Sequence, residues 1–228
     1  MKYYHLTAEL KTPVMVQENR QSNAPKGLDY LPGATLRGAV AGQYLRCGGG
    51  PEAESFKKIF LEAPVCFPDL LPTNSEGGVA YTLPMTACSC KRKAGFFSGN
   101  GHGVGDALAA LAAAELEPHL VPEPFECKIC QQEMKPFTGF WNGDLEAPEK
   151  VRFSKFYQRH TGIDRQTGTV ASAIFYITQG IENVFRGADG SLANRFLSGG
   201  LYLTDEQAET LSSWFAEAVF AGADKTRG

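Results

Sequence analysis

The first ten residues keep a two-residue rhythm. "KYYHLTAEL" alternates and carries aromatic residues, the pattern of a strand with one buried face. "PVMV" reads as an extension of it, and "QENRQSNAPKGL", residues 17–28, as a polar loop. From Thr35 to about Leu45 the pattern turns helical and stops at "CGGG". "PEAESFKKIFLEA", with proline first and apolar residues three and four apart, predicts a second helix. "VCFPDLLP" and "VAYTLPMTA" predict short strands around a "TNSEGG" loop. "FTGFW", "RFSKFYQRHTGI", "TVASAIFYITQGI" and "GSLANRFLSGGLYLT" return to strand character. The last element, "TDEQAETLSSWFAEAVFAG", is a well-marked helix. Thr204 is its N-cap, Asp205 and Glu206 suit its positive end, and Leu211, Phe215 and Val219 form its apolar stripe.

Residues 88–136 break this order. They combine cysteines, a glycine run, an Ala-rich helix ("GDALAALAAAELE") and a Pro/Glu-rich link. We read them as an insertion into a domain formed by 1–87 and 137–228. The remaining order, strand, helix, strands, strands, helix, predicts an α+β fold: an antiparallel sheet with helices on one face. The split β-α-β-β-α-β arrangement is the natural candidate.

Composition narrows the classes. At 43% hydrophobic and 21% charged residues, the 228-residue chain can bury a core, which excludes disorder. The net charge of −3 does not advertise nucleic acid, but its distribution is uneven. Arg20–Arg46 holds four bases and one acid, 150–165 five bases and Asp164, and Lys91-Arg92-Lys93 forms a third cluster. Residues 115–149 hold eight acids against two lysines, and 201–224 five acids and no base. Such a layout suits one anion-facing side and one facing solvent or protein; ordinary surface scatter is the other reading. The N-terminus alternates instead of forming an apolar signal core, and no apolar run approaches the ~18 residues of a membrane span. The expectation is a soluble, cytoplasmic protein, where six cysteines point to metal or free thiols over disulfides.

Cys88 and Cys90 form a C-x-C pair, Cys127 and Cys130 a C-x-x-C pair. Two close pairs can supply four thiolates to a tetrahedral ion, so structural zinc on Cys88, Cys90, Cys127 and Cys130 is the leading reading. His102 in "NGHGVGD" is an alternative ligand. Free thiols and redox use of the C-x-x-C are the competing readings, while Cys47 and Cys66 read as small buried apolar residues.

Two basic segments carry further chemistry. In "YLPGATLRG" the Pro-Gly turn opens a helix, and Gly33, Ala34 and Gly38 allow another backbone to come close. Helix-start N–H groups and the Arg37 fork favour an anion; a packed helix start with a solvated Arg37 is the alternative. In "KFYQRHTGIDRQTGTV", Arg159, His160 and Arg165 surround a turn with Thr161, Thr167 and Thr169, a loop able to follow a sugar-phosphate backbone. His160 reads as a hydrogen-bonded or stacking ring, with acid/base use as the alternative.

Taken in order, these motifs resemble the RAMP superfamily (repeat-associated mysterious proteins), the backbone subunits of type III CRISPR effector complexes. "YLPGATLRGAVA" resembles the family's Pro-Gly element and "HTGIDRQTGTVASAIFYITQGI" its Ile-Asp-Arg element. With "LPMTACSCKRKAGF", "HGVGDAL" and "CKIC", the chain most resembles the Cas5-like subunit of subtype III-D. The resemblance implies a ferredoxin-like, RRM-type fold with a zinc-binding insertion. It implies a guide-RNA grip through Gly33, Thr35 and Arg37, and through Arg159, His160, Asp164, Arg165 and Thr167. The basic clusters add Arg20, Lys26, Lys91, Arg92 and Lys93.

The implied role is non-catalytic: holding CRISPR RNA near its 5′ handle, beside target RNA, neighbouring RAMP subunits and the large signalling subunit, with no membrane. Family members that cut place an aspartate ahead of the Pro-Gly element, where this chain has Glu18 and, later, Asp29. An endoribonuclease using Asp29, Glu18 or His160 is the alternative. A zinc-stapled protein without RNA contact is the third reading. The family's terminal glycine-rich loop is expected where the chain ends in "GADKTRG", so a fragment of a longer protein is expected.

Overall fold

The computed structural model describes residues 1–17, 26–62, 64–117, 125–163, 165–186, 190–215 and 219–221. In chain order the elements are β1 (Lys2–Glu9), α1 (Gly33–Arg46), α2 (Glu54–Lys57), which continues as a π-helical turn (Lys58–Glu62), β2 (Leu71–Thr73), β3 (Tyr81–Thr82), β4 (Ala87–Cys90), β5 (Val104–Asp106), α3 (Leu108–Leu116), β6 (Met134–Pro136), β7 (Phe140–Trp141), β8 (Lys155–Ile163), β9 (Val170–Ile181), β10 (Val184–Arg186), β11 (Leu192–Asn194), β12 (Phe196–Leu203) and α4 (Asp205–Trp214). Among the described residues all strand pairings are antiparallel, and the class is α+β. The chain forms two compact units, residues 1–77 with 153–228, and residues 78–152.

In the first unit the sheet runs β1-β12-β2. Pairing runs from Lys2 opposite Leu203 to Glu9 opposite Phe196. Leu197, Leu201 and Leu203 of β12 are buried with Leu36 and Val40 of α1 and Leu211 of α4, and Tyr4, Leu6 and Ala8 pack half-buried beside them. These strand residues alternate and the helix residues lie a turn apart, so both helices cover one sheet face. Aromatic rings seal the seam: Tyr44 lies 4.5 Å from Trp214, and Phe60 stacks on Trp214 at 5.9 Å and on Phe67 at 5.8 Å. The α4 start is a full capping box. Thr204 Oγ1 accepts from the Gln207 N–H at 3.2 Å, and Gln207 Oε1 accepts from the Thr204 N–H at 3.0 Å.

Two short segments depart from the sequence pattern. "PVMV" does not lengthen β1; Val14 instead bridges to Ile181 at the base of the β8–β9 hairpin. The expected second helix is one α-turn followed by the π turn, which turns Ile59 and Phe60 into the core.

The α1 start needs a glycine. A Cβ on Gly33 would sit 2.1 Å from the Phe67 carbonyl oxygen, because Leu31 and Leu70 exchange backbone hydrogen bonds of 3.0 and 2.9 Å and draw the two segments together.

The second unit centres on β4, flanked by β5 and β6, with a β3–β7 pair alongside. Among the described residues, Leu83, Ala87 and Phe137 form a buried cluster with Phe96, Val104 and Trp141 packed against it, and Ala80, Phe140 and Val151 are buried besides. The unit is wider than the expected 88–136 insertion because β3 pairs with β7 and Trp141 bridges to Lys150.

Gly33→Ala should destabilise the first unit by several kcal/mol, since the clash is with backbone. Gly38 has open space around it, so Gly38→Ala should stabilise by up to about 1 kcal/mol. Urea unfolding midpoints of the two variants test this contrast.

Candidate metal centre and basic hairpin

β4 delivers Cys90 at its end, where Cys90 pairs with Met134 of β6. The chain then folds back. Buried Ser89 donates to the Gly103 carbonyl and accepts from the Gly95 N–H, both at 2.8 Å, while His102 N–H donates to the Lys93 carbonyl at 2.9 Å. Glycine permits this loop: Gly95 and Gly103 have φ of +118° and +95°, and a Cβ on Gly101 would strike the Gly95 carbonyl. "CKICQQ" closes from the other side as a turn, in which Gln131 N–H donates to the Cys127 carbonyl at 2.8 Å and Gln131 itself takes φ 55°.

The result is a group of Cys90, His102, Cys127 and Cys130 whose ligand atoms all lie within 4.8 Å of one another. Cys90 Sγ lies 3.4 Å from Cys130 Sγ, and Cys127 Sγ 3.5 Å from His102 Nδ1. Four ligands around a tetrahedral ion at ordinary metal–sulfur distance stand about 3.8 Å apart, so the group could hold a metal ion.

The electrostatics fit. The N–H groups of Lys93 and Arg92 point at the Cys90 sulfur and hold its thiol down to about 6 against the opposing effect of burial. At Cys130 the Gln132 N–H favours the thiolate, but burial and the neighbouring Cys90 and Cys127 outweigh it and raise the thiol. Cys88, expected as a ligand, lies outside the group. It sits within β4 opposite Gly105 and Pro136, its Sγ 3.5 Å from the Gly105 carbonyl. Burial, with the Asp106 carboxylate adding to it, pushes that thiol up. His102 completes the group of four in its place. Lys91, Arg92 and Lys93 are exposed on the loop between Cys90 and His102, with Lys91 3.6 Å from Glu133.

In the first unit, the Ile-Asp-Arg segment forms the β8–β9 hairpin, paired from Lys155–Ile181 to Thr161–Phe175, with a bulge before Ile163–Val170. Nine strand residues reach about 30 Å. Arg159 and Tyr157 are exposed along β8, and Arg165 and Thr167 are exposed in the turn, where Thr167 Oγ1 lies 2.8 Å from Thr169 Oγ1. His160 Nε2 lies 3.0 Å from the Thr178 hydroxyl across the hairpin. Lys155 pairs with Asp29 at 2.5 Å. Lys26 is exposed next to Gly27, whose N–H donates to Gln179 Oε1 of β9 at 3.1 Å. Arg20, Glu18, Asp164 and the terminal "TRG" lie outside the described residues.

The α1 start differs from its anion-site expectation. Asp69 Oδ1 accepts from the Gly33 N–H at 2.7 Å, so the chain supplies its own carboxylate at the helix's positive end. Thr35 is half-buried one turn from that cap, and Arg37 is exposed but donates to the Phe60 carbonyl at 2.8 Å. Sequence reading missed Asp69, which faces Gly33 only because Leu31 and Leu70 pair. It also missed Arg195, 1% exposed, which donates to the Thr73 carbonyl and lies 4.7 Å from the Phe185 ring.

An α+β protein with a Cys/His group able to hold a metal and a long, partly basic hairpin is the class so defined. No curated protein matches the sequence. The family model of the RAMP superfamily matches residues 7–228, and the chain belongs to that family of CRISPR-associated proteins, which ties it to RNA binding or processing.

Metal analysis separates the two ligand sets. Cys90→Ser, His102→Ala and Cys130→Ser should each abolish stoichiometric metal, while Cys88→Ser should keep it; metal retained in His102→Ala and lost in Cys88→Ser would restore the four-cysteine set.

Proposed function

We propose that this chain is an RNA-holding subunit of a type III CRISPR effector complex, gripping the guide backbone near its 5′ handle without cutting it. The observation that carries the reading is the hairpin. β8 leaves Arg159, Tyr157 and Ile163 exposed, and among the described residues neither Arg159 nor Arg165 is ion-paired. A two-stranded ribbon is marginal alone and is well suited to closing on another molecule. Arginine forks and short hydroxyls at its tip match a sugar-phosphate backbone. Lys26, His160, Arg37, Thr35 and the Lys91–Lys93 cluster are the further contacts of this reading. Gly33 serves it as a packing position, since Asp69 takes its N–H.

The strand order β1-β12-β2, with a helix after β1 and another after β12, supports a ferredoxin-like arrangement interrupted by the second unit and the hairpin. Three thiolates and one imidazole in tetrahedral reach favour zinc as the metal, with a closed, structural role. The clamp reading is also supported by two of the three candidate catalytic groups being engaged: Asp29 with Lys155, His160 with Thr178. Target RNA, other RAMP subunits and the large signalling subunit are the partners this role implies.

Purification with co-expressed guide RNA, followed by binding across a salt series, tests the reading. Arg159→Glu with Arg165→Glu should weaken binding and flatten the log–log salt slope by roughly 0.7–1 for each phosphate no longer neutralised. Cleavage of the bound RNA that disappears in Asp29→Ala or His160→Ala would replace the clamp with an endoribonuclease.

A further inference from the structure

The β1-β12-β2 sheet buries one face under α1 and α4 and leaves one end of the other face open. Tyr3 and Tyr202 stand there, 56% and 65% exposed, directly opposite each other on β1 and β12. Their ring centroids are 5.3 Å apart at 63°. His5 follows two residues along, exposed on the same face and opposite Gly200. A Cβ at Gly200 would lie 2.1 Å from the Tyr3 hydroxyl oxygen and 2.5 Å from its ring. The Tyr3 side chain therefore lies across β12 over Gly200, which has no side chain to displace it. Beside Tyr202 a cavity of about 480 Å³ opens between β12 and residues 64–68. Pro64, Pro68, Gly200 and Tyr202 line it together with Met1, Thr204 and Gln207, none of them with a charged side chain.

We infer that this face is a stacking platform for unpaired bases of single-stranded RNA, with the cavity beside Tyr202 receiving one base. Exposed rings laid on an antiparallel sheet hold nucleobases through their π faces, and tyrosine and histidine both serve. The cavity has the size of a small-molecule site, and its uncharged side chains, with the Thr204 and Gln207 polar groups among them, suit a neutral planar base with its phosphate left in water. The Lys2 ammonium beside Tyr3 pairs with Asp205 at 2.8 Å, so the platform works by stacking and not by charge. The inference rests on the RNA-holding reading and adds to it a second surface, chemically unlike the hairpin. A proline-rich peptide could use the same rings; the family's tie to RNA favours the base.

The test uses the full chain with its metal and an unstructured RNA of about twelve nucleotides, in the range of single-strand site sizes. Tyr3→Ala with Tyr202→Ala should weaken binding about tenfold with an unchanged salt slope, because stacking releases no counterions. Tyr3→Phe with Tyr202→Phe should bind like the parent. Gly200→Val, checked for folding by circular dichroism, should weaken binding with both tyrosines still present. An abasic strand of the same length should bind the parent more weakly and the double-alanine variant no worse than normal RNA does. Unchanged binding in the double-alanine variant, with loss in the Arg159/Arg165 variant, overturns the platform and leaves the hairpin reading standing. No RNA binding by the parent overturns both. A decaproline peptide that binds in a Tyr202-dependent way, while RNA ignores both tyrosines, assigns the face to protein and also overturns it.

Discussion

The antiparallel ladder between β1 and β12 is the contact on which the first unit depends. It joins residues 2–9 to residues 196–203, and every other element of the unit except α4 lies on chain that leaves and returns between them. Its register decides both sheet faces at once. Leu197, Leu201 and Leu203 meet α1 and α4, and Tyr3 and Tyr202 face outward. A slip of one residue would exchange these sets, and the cost of burying tyrosine hydroxyls while exposing three leucines opposes it.

The second unit has a different kind of stability. Among its described residues the buried Ala80, Leu83, Ala87, Phe137, Phe140 and Val151 make a modest core for some seventy-five residues, a size at which a metal commonly supplements the core. No residue of α3 is buried, so that helix adds little apolar packing. The Cys90–His102–Cys127–Cys130 group ties together three stretches: the end of β4, the glycine-bounded loop and the C-x-x-C turn. The Lys93 and Arg92 N–H groups, with the neighbouring Cys130 and Cys127 thiols, hold the Cys90 thiol down before any ion contributes.

Charge placement refines where an anion can be held. α1 presents its positive end to Asp69, which neutralises it locally. The arginines of the hairpin have no such internal partner among the described residues. Family membership rests on the match over residues 7–228, which spans both motifs, yet the fold uses them differently: the Pro-Gly element is consumed in packing, and the hairpin that carries the second is displayed.

Much of this was legible in the sequence. Alternation marked β1, and strand-type composition β8, β9 and β12; Thr204 marked the α4 start; the paired cysteines marked the stretch that could hold a metal; and the two motifs pointed to the family. These signals are local, set by the few neighbouring residues that fix strand period, capping and ligand spacing. The sequence could not choose between Cys88 and His102, because that choice depends on a loop folding back through Ser89 and three glycines. Nor could it reveal Asp69 at the α1 start, or the Tyr3 ring laid across Gly200. Each of those depends on segments far apart in the chain, brought to within a few ångströms by pairing and burial that only the closed tertiary structure supplies.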